Sequence, residues 1–275
     1  AVTVFEVEQG DIAASQYAYF DRGGVAHEFR LRQKTFYSSE QWYRSPDMSV
    51  SAHEDTTPFT RLDIPDDVSL GTFGEQATLH LRSPWAPPNA PEGRTFPAGT
   101  FLVAPISDVL RSDWSRSVPL FEPSADGSDS LEETAATRDY LVLKVVEHVR
   151  TKLHAYRFDD GQASWHAQGV GRLAPSGEDV SVSAIWPHDS NDVWLTRSGF
   201  LVPTALERAS AEDGLLEGNT REHLKQTPAF FDASLFECTQ HFATSADGTQ
   251  VPYFLLGPRG MPLDGSHPTL LDGYD

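Results

Sequence analysis

Short strand patterns separated by turn residues are the feature that most constrains how this chain can fold. Alternating or continuous apolar runs, which are typical of β-strands, occupy residues 2–7, 77–81, 100–104, 139–146, 152–158, 163–170, 180–186 and 192–196. Clusters rich in Asp, Gly, Ser, Asn and Pro separate them and predict turns, at 21–24, 159–161, 175–178 and 188–191. Only residues 106–112 and 215–225 have a helical pattern. Because helices must cover both faces of a parallel sheet, this pattern predicts an all-β fold.

The strands fall into loose groups of four, each close to the ~40–50 residues of a propeller blade. No WD or kelch signature marks the groups. Strand spacings of roughly 8–12 residues are typical of a sandwich, a barrel or a propeller. The periodicity alone therefore supports an all-β fold and leaves these three architectures open.

Two segments interrupt the strand pattern, and a third marks a boundary. Residues 83–91 form a proline-rich loop, and residues 124–134 are acidic and serine-rich, which predicts an exposed connection. Near residues 227–232, Pro228 ends the helix-like segment, and a new pair of strands begins at about Phe236. We expect one domain over residues 1–228 and another structural unit from residue 236 to residue 275.

Composition excludes some classes of function. The chain carries 40 Asp and Glu against 21 Lys and Arg, a net charge of −19, so phosphate backbones are repelled and nucleic acid is not expected as a partner. The acidity is typical of a solvated surface, although a field that favours cationic peptides remains a hypothesis. No apolar run reaches the ~18 residues of a membrane span. The sequence indicates no cofactor.

The compartment follows from the cysteine content and the chain start. The single cysteine, Cys238, allows no intramolecular disulfide and favours a reducing, cytoplasmic compartment. Residue 1 is not methionine, and residues 2–7 resemble a strand entered midway. We therefore expect the native N-terminus to lie upstream, which leaves a cleaved signal peptide open. The last residues, 270–275, also stop inside an apolar strand-and-turn pattern.

The most specific sequence signal lies near the C-terminal end of the chain. Residues 240–254 predict a β-hairpin, since Asp247-Gly248 supplies a turn between two apolar runs. The string Ser245-Ala-Asp-Gly-Thr249, followed by Val251-Pro252, resembles the hairpin that opens the catalytic domain of the prolyl oligopeptidase (S9) family of serine peptidases. The spacing to residues 268–274 is also similar. Two further segments resemble the family's propeller, residues 197–206 near its end and, more weakly, residues 19–37.

The resemblance implies a partial β-propeller of four-stranded antiparallel blades over residues 1–228. It implies that residues 236–275 are the first strands of an α/β-hydrolase domain. In this family the propeller restricts entry to short peptides, and a Ser, an Asp and a His, in that chain order, form the catalytic site. No Gly-x-Ser-x-Gly occurs in this chain, so the resemblance places the triad outside it.

One functional residue can be carried over from the family. Tyr274 takes the position of the tyrosine that donates its hydroxyl to the oxyanion, an interaction worth ~2.7–4 kcal/mol in a preorganised site. The next residue departs from the pattern, because Asp275 stands where the family has glycine, and aspartate adopts a positive φ less readily than glycine does.

Other candidate sites have simpler explanations. Cys238 and His241 have the spacing of two zinc ligands, but no second pair follows, and on a strand they point to opposite faces. Three short segments contain the residue types of a catalytic triad, namely His53-Glu54-Asp55, His188-Asp189-Ser190 and Ser266-His267. Adjacency in sequence is weak evidence for a triad, because a triad is defined by its geometry in space. Three acidic pairs are expected to be solvated loop charges, namely Asp66-Asp67, Glu132-Glu133 and Asp159-Asp160. Most of the six scattered tryptophans are expected to pack between blades.

Three hypotheses for function follow. The first is a fragment of a serine oligopeptidase whose parent cleaves short peptides through an acyl-enzyme. The second is a stand-alone propeller-like module that binds a peptide or protein without catalysis, and the third is an unrelated hydrolase, which the missing nucleophile motif disfavours.

Because a propeller blade packs on two neighbours, we also expect one blade to expose an apolar face, and the isolated chain to be marginally stable or prone to aggregation.

Overall fold

The structure is a computed structural model that describes residues 3–21, 23–50, 55–171, 174–213 and 221–273. Within these residues the chain forms four four-stranded antiparallel sheets, each made of strands consecutive in sequence, and one two-stranded sheet. The fold is therefore all-β, as the sequence predicts, and the four large sheets are the blades of a partial propeller.

The first two blades span the N-terminal half of the chain. Blade 1 is built from β1 Ala13–Phe20, β2 Ala26–Gln33, β3 Ser39–Arg44 and β4 Thr60–Arg61. Blade 2 is built from β5 Ser69–Phe73, β6 Gln76–His80, β7 Phe101–Pro105 and β8 Val118–Phe121. A one-turn helix α1, Ile106–Val109, follows β7, and a 3-10 turn at Pro91–Gly93 lies within the proline-rich loop region.

The other two blades and the hairpin complete the described chain. Blade 3 consists of β9 Asp129–Ala136, β10 Tyr140–Glu147, β11 Arg150–Asp159 and β12 Ser164–Val170. Blade 4 consists of β13 Glu178–Ala184, β14 Asp192–Gly199, β15 Ala205–Ser210 and β16 Glu222–Gln226. After a 3-10 turn at Ala233–Leu235, β17 Phe236–Thr244 and β18 Gln250–Pro258 form the hairpin.

Among the described residues, three apolar cores join the blades in series. One lies between blades 1 and 2 and includes Phe29 and the fully buried Trp114, whose ring makes an edge contact with Trp85. The second joins blades 2 and 3, and the third joins blades 3 and 4 around Val142 and Val193. Each blade therefore buries one or both of its faces against its sequence neighbours, as propeller blades do. Trp186 is exposed and is an exception to the expected packing of tryptophans.

The two end faces of this series carry both charged and aromatic side chains. On blade 1, the strand face opposite the core carries Arg30, which lies over the ring of Phe59 at 3.8 Å, and Arg44, which pairs with Glu28 at 2.7 Å. On blade 4, Val193 and Leu195 point into the core, so Trp194 and Thr196 point outward because side chains alternate along a strand. The expectation that one blade exposes an apolar face stays a prediction.

Three predicted elements are wrong. Residues 222–225, expected to be helical, lie in strand β16, because pairing with β15 overrides a weak local preference. Residues 3–7 form no strand and instead lie against blade 1, where Phe5 makes an edge contact with Trp42. Residues 268–272 form no strand either, and no described strand pairs with them. The other predicted strands are confirmed.

The described residues contain no helix with the length and hydropathy needed to cross a bilayer.

Candidate functional site

The hairpin that carries the family resemblance forms as the sequence predicts. Its tip is closed by two backbone hydrogen bonds between Ser245 and its neighbours, one with Gly248 and one with Thr249. Gly248 has a φ of 91°, a conformation in which glycine avoids the penalty of a side chain. The Asp247 carboxylate accepts a hydrogen bond from the Thr249 N–H at 3.0 Å, and this bond lowers the pKa of Asp247 below its ordinary value.

The base of the hairpin is fitted closely onto blade 4. Gly177, at the start of this blade, has a φ of 75°, and a side chain there would place its Cβ 2.6 Å from Cys238 Sγ and 2.8 Å from the Phe200 ring. Phe200 in turn lies against Phe254 of β18, with ring centroids 5.9 Å apart. Burial in this contact raises the pKa of the Cys238 thiol, so the cysteine packs as a small apolar side chain.

Blade 3 supplies a second contact to the hairpin. The Gln240 side-chain amide donates to the carbonyl oxygen of His148, in the turn between β10 and β11, and the His148 ring makes an edge contact with Phe242 at 5.1 Å. The hairpin thus rests on the end of blades 3 and 4 at which β11 begins. Its other face carries the exposed side chains of Val251 and Tyr253.

Residues 259–273 continue from the hairpin without further strands. The Arg259 N–H donates to the Leu235 carbonyl oxygen, and Leu270 and Leu271 are 91% and 93% exposed. Tyr274, the predicted oxyanion donor, and Asp275 lie outside the described residues. The role of Tyr274 therefore remains a prediction.

A buried lysine was missed by the sequence analysis. Lys144, in the middle of the apolar strand β10, is 3% exposed. Its ammonium lies 3.0 Å from Glu132, 3.5 Å from Glu133 and 3.0 Å from Asp179. The expectation that Glu132-Glu133 is a solvated loop pair is wrong, because both residues lie on β9 and contact this lysine. The sequence feature that could have indicated this buried charge is the lone lysine within the apolar run 139–146.

This Lys144 cluster joins the first strands of blades 3 and 4. The Glu133 carboxylate accepts hydrogen bonds from the Ser181 hydroxyl at 3.1 Å and from the Val182 N–H at 3.2 Å. Partial burial raises the pKa of Asp179, but hydrogen bonds from Thr151 and Lys144 outweigh it and hold that pKa below its ordinary value. Burial lowers the pKa of Lys144, and its carboxylate partners outweigh that effect and raise it. Both shifts favour the charged forms.

None of the three triads of neighbouring residues, which the sequence analysis disfavours, is assembled in the part of the chain that the structure describes. His53 and Glu54 lie outside it. Ser190 and Asp189 form the turn between β13 and β14, where both of their N–H groups donate to the Trp186 carbonyl oxygen. The Ser266 N–H donates to Asp264 at 3.0 Å. Across the described residues, no group of three or more His, Cys, Asp or Glu side chains could hold a metal ion.

A serine–histidine contact occurs where no motif indicated one. On strand β12, the Ser164 hydroxyl lies 2.8 Å from His166 Nε2, and the pair is exposed. The two residues are two positions apart, so their side chains share a strand face. No described carboxylate accepts a hydrogen bond from the His166 ring, as the third member of a catalytic triad would to orient it. The contact fits a surface pair.

Known proteins resemble this chain over almost its whole length. No model of a known protein family matches it. An uncharacterized peptidase of Sinorhizobium fredii is 29% identical over 276 residues, which cover 100% of this chain and 35% of that protein. An uncharacterized peptidase of Rickettsia prowazekii is 22% identical over 240 residues, covering 86% of this chain and 31% of that protein. The chain spans about a third of the length of these relatives.

Solved structures share the fold. A post-proline cleaving enzyme from Rickettsia typhi superposes with a TM-score of 0.72 and 20% identity, over 96% of this chain and 36% of that chain. Prolyl oligopeptidase B from Galerina marginata gives a TM-score of 0.62 and 17% identity, over 96% and 34%. Oligopeptidase B from Trypanosoma brucei gives 0.60 and 14%, over 91% and 33%.

The described residues therefore form a partial β-propeller followed by a hairpin packed on its end, a fold shared with these solved structures. The chain is thus similar in sequence to part of two curated peptidases and similar in fold to the propeller portion of solved prolyl oligopeptidases.

Proposed function

We propose that this chain is part of a serine oligopeptidase, in which the blades control the access of short peptides to a Ser-Asp-His site outside residues 1–275. In this proposal residues 1–228 belong to the propeller, and residues 236–275 open the hydrolase domain. Tyr274 would donate its hydroxyl to the oxyanion. The observation that carries the proposal is the order of elements, since four blades joined in series lead directly into a hairpin seated on their end.

The first test is the sequence that follows Asp275 in the encoding gene. We expect a serine nucleophile motif of the type Gly-Gly-Ser-x-Gly-Gly in the same reading frame, followed by Asp and His. An in-frame stop codon directly after Asp275 would contradict the peptidase proposal and favour a binding module without catalysis.

The second test is chemical. A fluorophosphonate probe reacts with an activated serine, so we expect it to label the full-length protein once and to leave residues 1–275 unlabelled. Ser164→Ala provides the matched control, because Ser164 is a serine in contact with a histidine within this chain. Stoichiometric labelling of residues 1–275 that disappears in Ser164→Ala would place the nucleophile on β12 and overturn the proposal.

A further inference from the structure

A cavity of about 470 Å³ opens between blades 1 and 2 and is not part of the site described above. Its wall is mostly apolar, with Val25, Pro58, Pro105, Ile106 and Leu110. Polar groups from both blades also reach it, chiefly Tyr43, Arg44, Ser45, Ser107 and Glu75. A concave, mainly apolar cavity of this size with a few convergent polar groups has the properties of a small-molecule site.

One polar wall of this cavity is set by a buried hydrogen-bonded chain. His27 is 1% exposed, and its Nε2 lies 3.3 Å from the Asp21 carboxylate while its Nδ1 lies 3.0 Å from the Tyr43 hydroxyl. Asp21 also accepts hydrogen bonds from the N–H groups of Gly23 and Val25, each at 2.8 Å. Burial raises the pKa of Asp21, but these donors outweigh it and lower that pKa, so the carboxylate is an acceptor only.

The tautomer of His27 decides what Tyr43 presents to the cavity. Because Asp21 can only accept, the tautomer that satisfies this contact has its hydrogen on Nε2, and its Nδ1 accepts from the Tyr43 hydroxyl. The Tyr43 hydroxyl hydrogen is therefore directed at His27, away from a ligand. The nearby Ser45 hydroxyl donates to the Ala26 carbonyl oxygen at 3.1 Å. The Tyr43 oxygen keeps lone pairs for a hydrogen-bond donor in the cavity.

The charges around the cavity also favour a ligand that donates hydrogen bonds, and in particular a cationic one. The Arg44 guanidinium is neutralised by Glu28 at 2.7 Å and Asp55 at 3.2 Å. Glu75 lines the cavity and is exposed, and no described side chain forms an ion pair with it. The cavity thus combines an apolar wall, a phenol acceptor and a free carboxylate.

We propose that this cavity binds a small organic cation, a primary ammonium on an apolar body. The ammonium donates to Glu75 and to the Tyr43 oxygen, and the apolar body lies against Ile106, Leu110 and Pro58. The site is independent of the peptidase proposal, because none of its residues belongs to the hairpin or to the segment that follows it.

Calorimetric titration of the chain with three probes of one shape tests the ligand class. The probes are 4-phenylbutylamine, 4-phenylbutanol and 4-phenylbutyrate, which share an apolar body and differ in charge. We expect saturable, one-to-one binding of the amine, with the alcohol weaker and the carboxylate weakest. Absence of saturable amine binding, or equal binding of amine and carboxylate, would overturn the proposal.

Variants locate the binding. Glu75→Gln should weaken amine binding about tenfold, as expected for loss of a charge-assisted hydrogen bond, and Tyr43→Phe should weaken it less. Ser107→Trp, a change at an exposed wall position, should block all three probes.

Glu92→Gln is the matched control, since it removes the same charge in the loop at the other end of β6. If Glu92→Gln weakens binding as much as Glu75→Gln, the attraction comes from the chain's net charge and the site is refuted.

Discussion

Lys144 shows how a single side chain can join two blades. Its ammonium is buried, whereas its three carboxylate partners are each 37–52% exposed. Removing the cation therefore leaves like charges facing one another at the junction of blades 3 and 4, without burying any of them completely.

Replacing this cation should destabilise the protein. We expect Lys144→Met to lower the free energy of unfolding by about 1–3 kcal/mol, below the 3–5 kcal/mol of a fully buried pair because water still reaches the carboxylates. Urea unfolding measures the change. Lys152→Met is the matched control in the same blade, since Lys152 has one partially exposed partner, Glu147, at 3.6 Å. An equal loss in both variants would contradict the special role of Lys144.

The same cluster predicts a pH dependence. The pKa of Asp179 is lower in the folded protein than its ordinary value, so its contribution to stability is full above the unfolded-state pKa and is lost as the pH falls through the folded-state pKa. We expect the stability difference between the parent chain and Asp179→Asn to be constant near neutral pH and to shrink below about pH 4. Denaturant unfolding between pH 7 and pH 3 measures it. A stability difference that grows on acidification would contradict a lowered pKa of Asp179 in the folded protein.

At the scale of elements, the contact between the hairpin and blade 4 depends on the absence of a side chain at residue 177. Gly177→Ala combines an unfavourable positive φ, which costs about 1–2 kcal/mol for a residue with a side chain, with a clash against Cys238 and Phe200. We expect this variant to be less stable than Gly127→Ala and to expose β17 and β18 to proteolysis.

Gly127 is a suitable control because it also has a positive φ, 68°, but nothing lies within 4 Å of a Cβ added there. Its substitution therefore measures the backbone strain alone. If the two variants lose the same stability and the hairpin stays resistant to protease, the close approach at Gly177 does not hold the hairpin in place.

Elements with a strong local pattern could be predicted from sequence. The run 139–146 is mostly apolar, as expected for strand β10, which has a core on each face. The turn of the hairpin is encoded locally by Asp247-Gly248. Elements that depend on a distant partner could not. Strand β16 exists through its pairing with β15, and residues 3–7 and 268–272 have strand-like composition but no strand to pair with among those described.

The same distinction applies to the candidate sites. The hairpin was predictable because its residues are adjacent in sequence. The Lys144 cluster combines β9, β10 and β13, and the cavity wall combines Tyr43 with Glu75 of the next blade, so only the packing of blades brings these groups together.

At the scale of the whole molecule, the largest exposed apolar side chains are concentrated around the hairpin and the segment after it. Leu270, Leu271 and Phe230 are each at least 87% exposed. Association of the isolated chain should therefore involve this hairpin end.

Charged substitutions in this segment test that view. We expect Leu270→Asp combined with Leu271→Asp to reduce self-association in sedimentation velocity and to leave the unfolding temperature unchanged, because neither leucine is buried. Ser266→Asp combined with Thr269→Asp adds the same charge to the same segment without removing apolar surface. An equal reduction of self-association in both double variants would show that the added charge alone causes the effect.

The serial arrangement of the three apolar cores has a consequence for how the molecule loosens. Each blade contacts only its neighbours in the series, so its resistance to opening depends on nearest-neighbour terms, as in repeat proteins. Blades 2 and 3 have a core on both sides, whereas blades 1 and 4 have one. Amide hydrogens of β6 and β10 should therefore exchange with solvent more slowly than those of β2 and β14. Fraying that begins at blade 1 would open the inter-blade cavity while the seat of the hairpin on blades 3 and 4 stays closed.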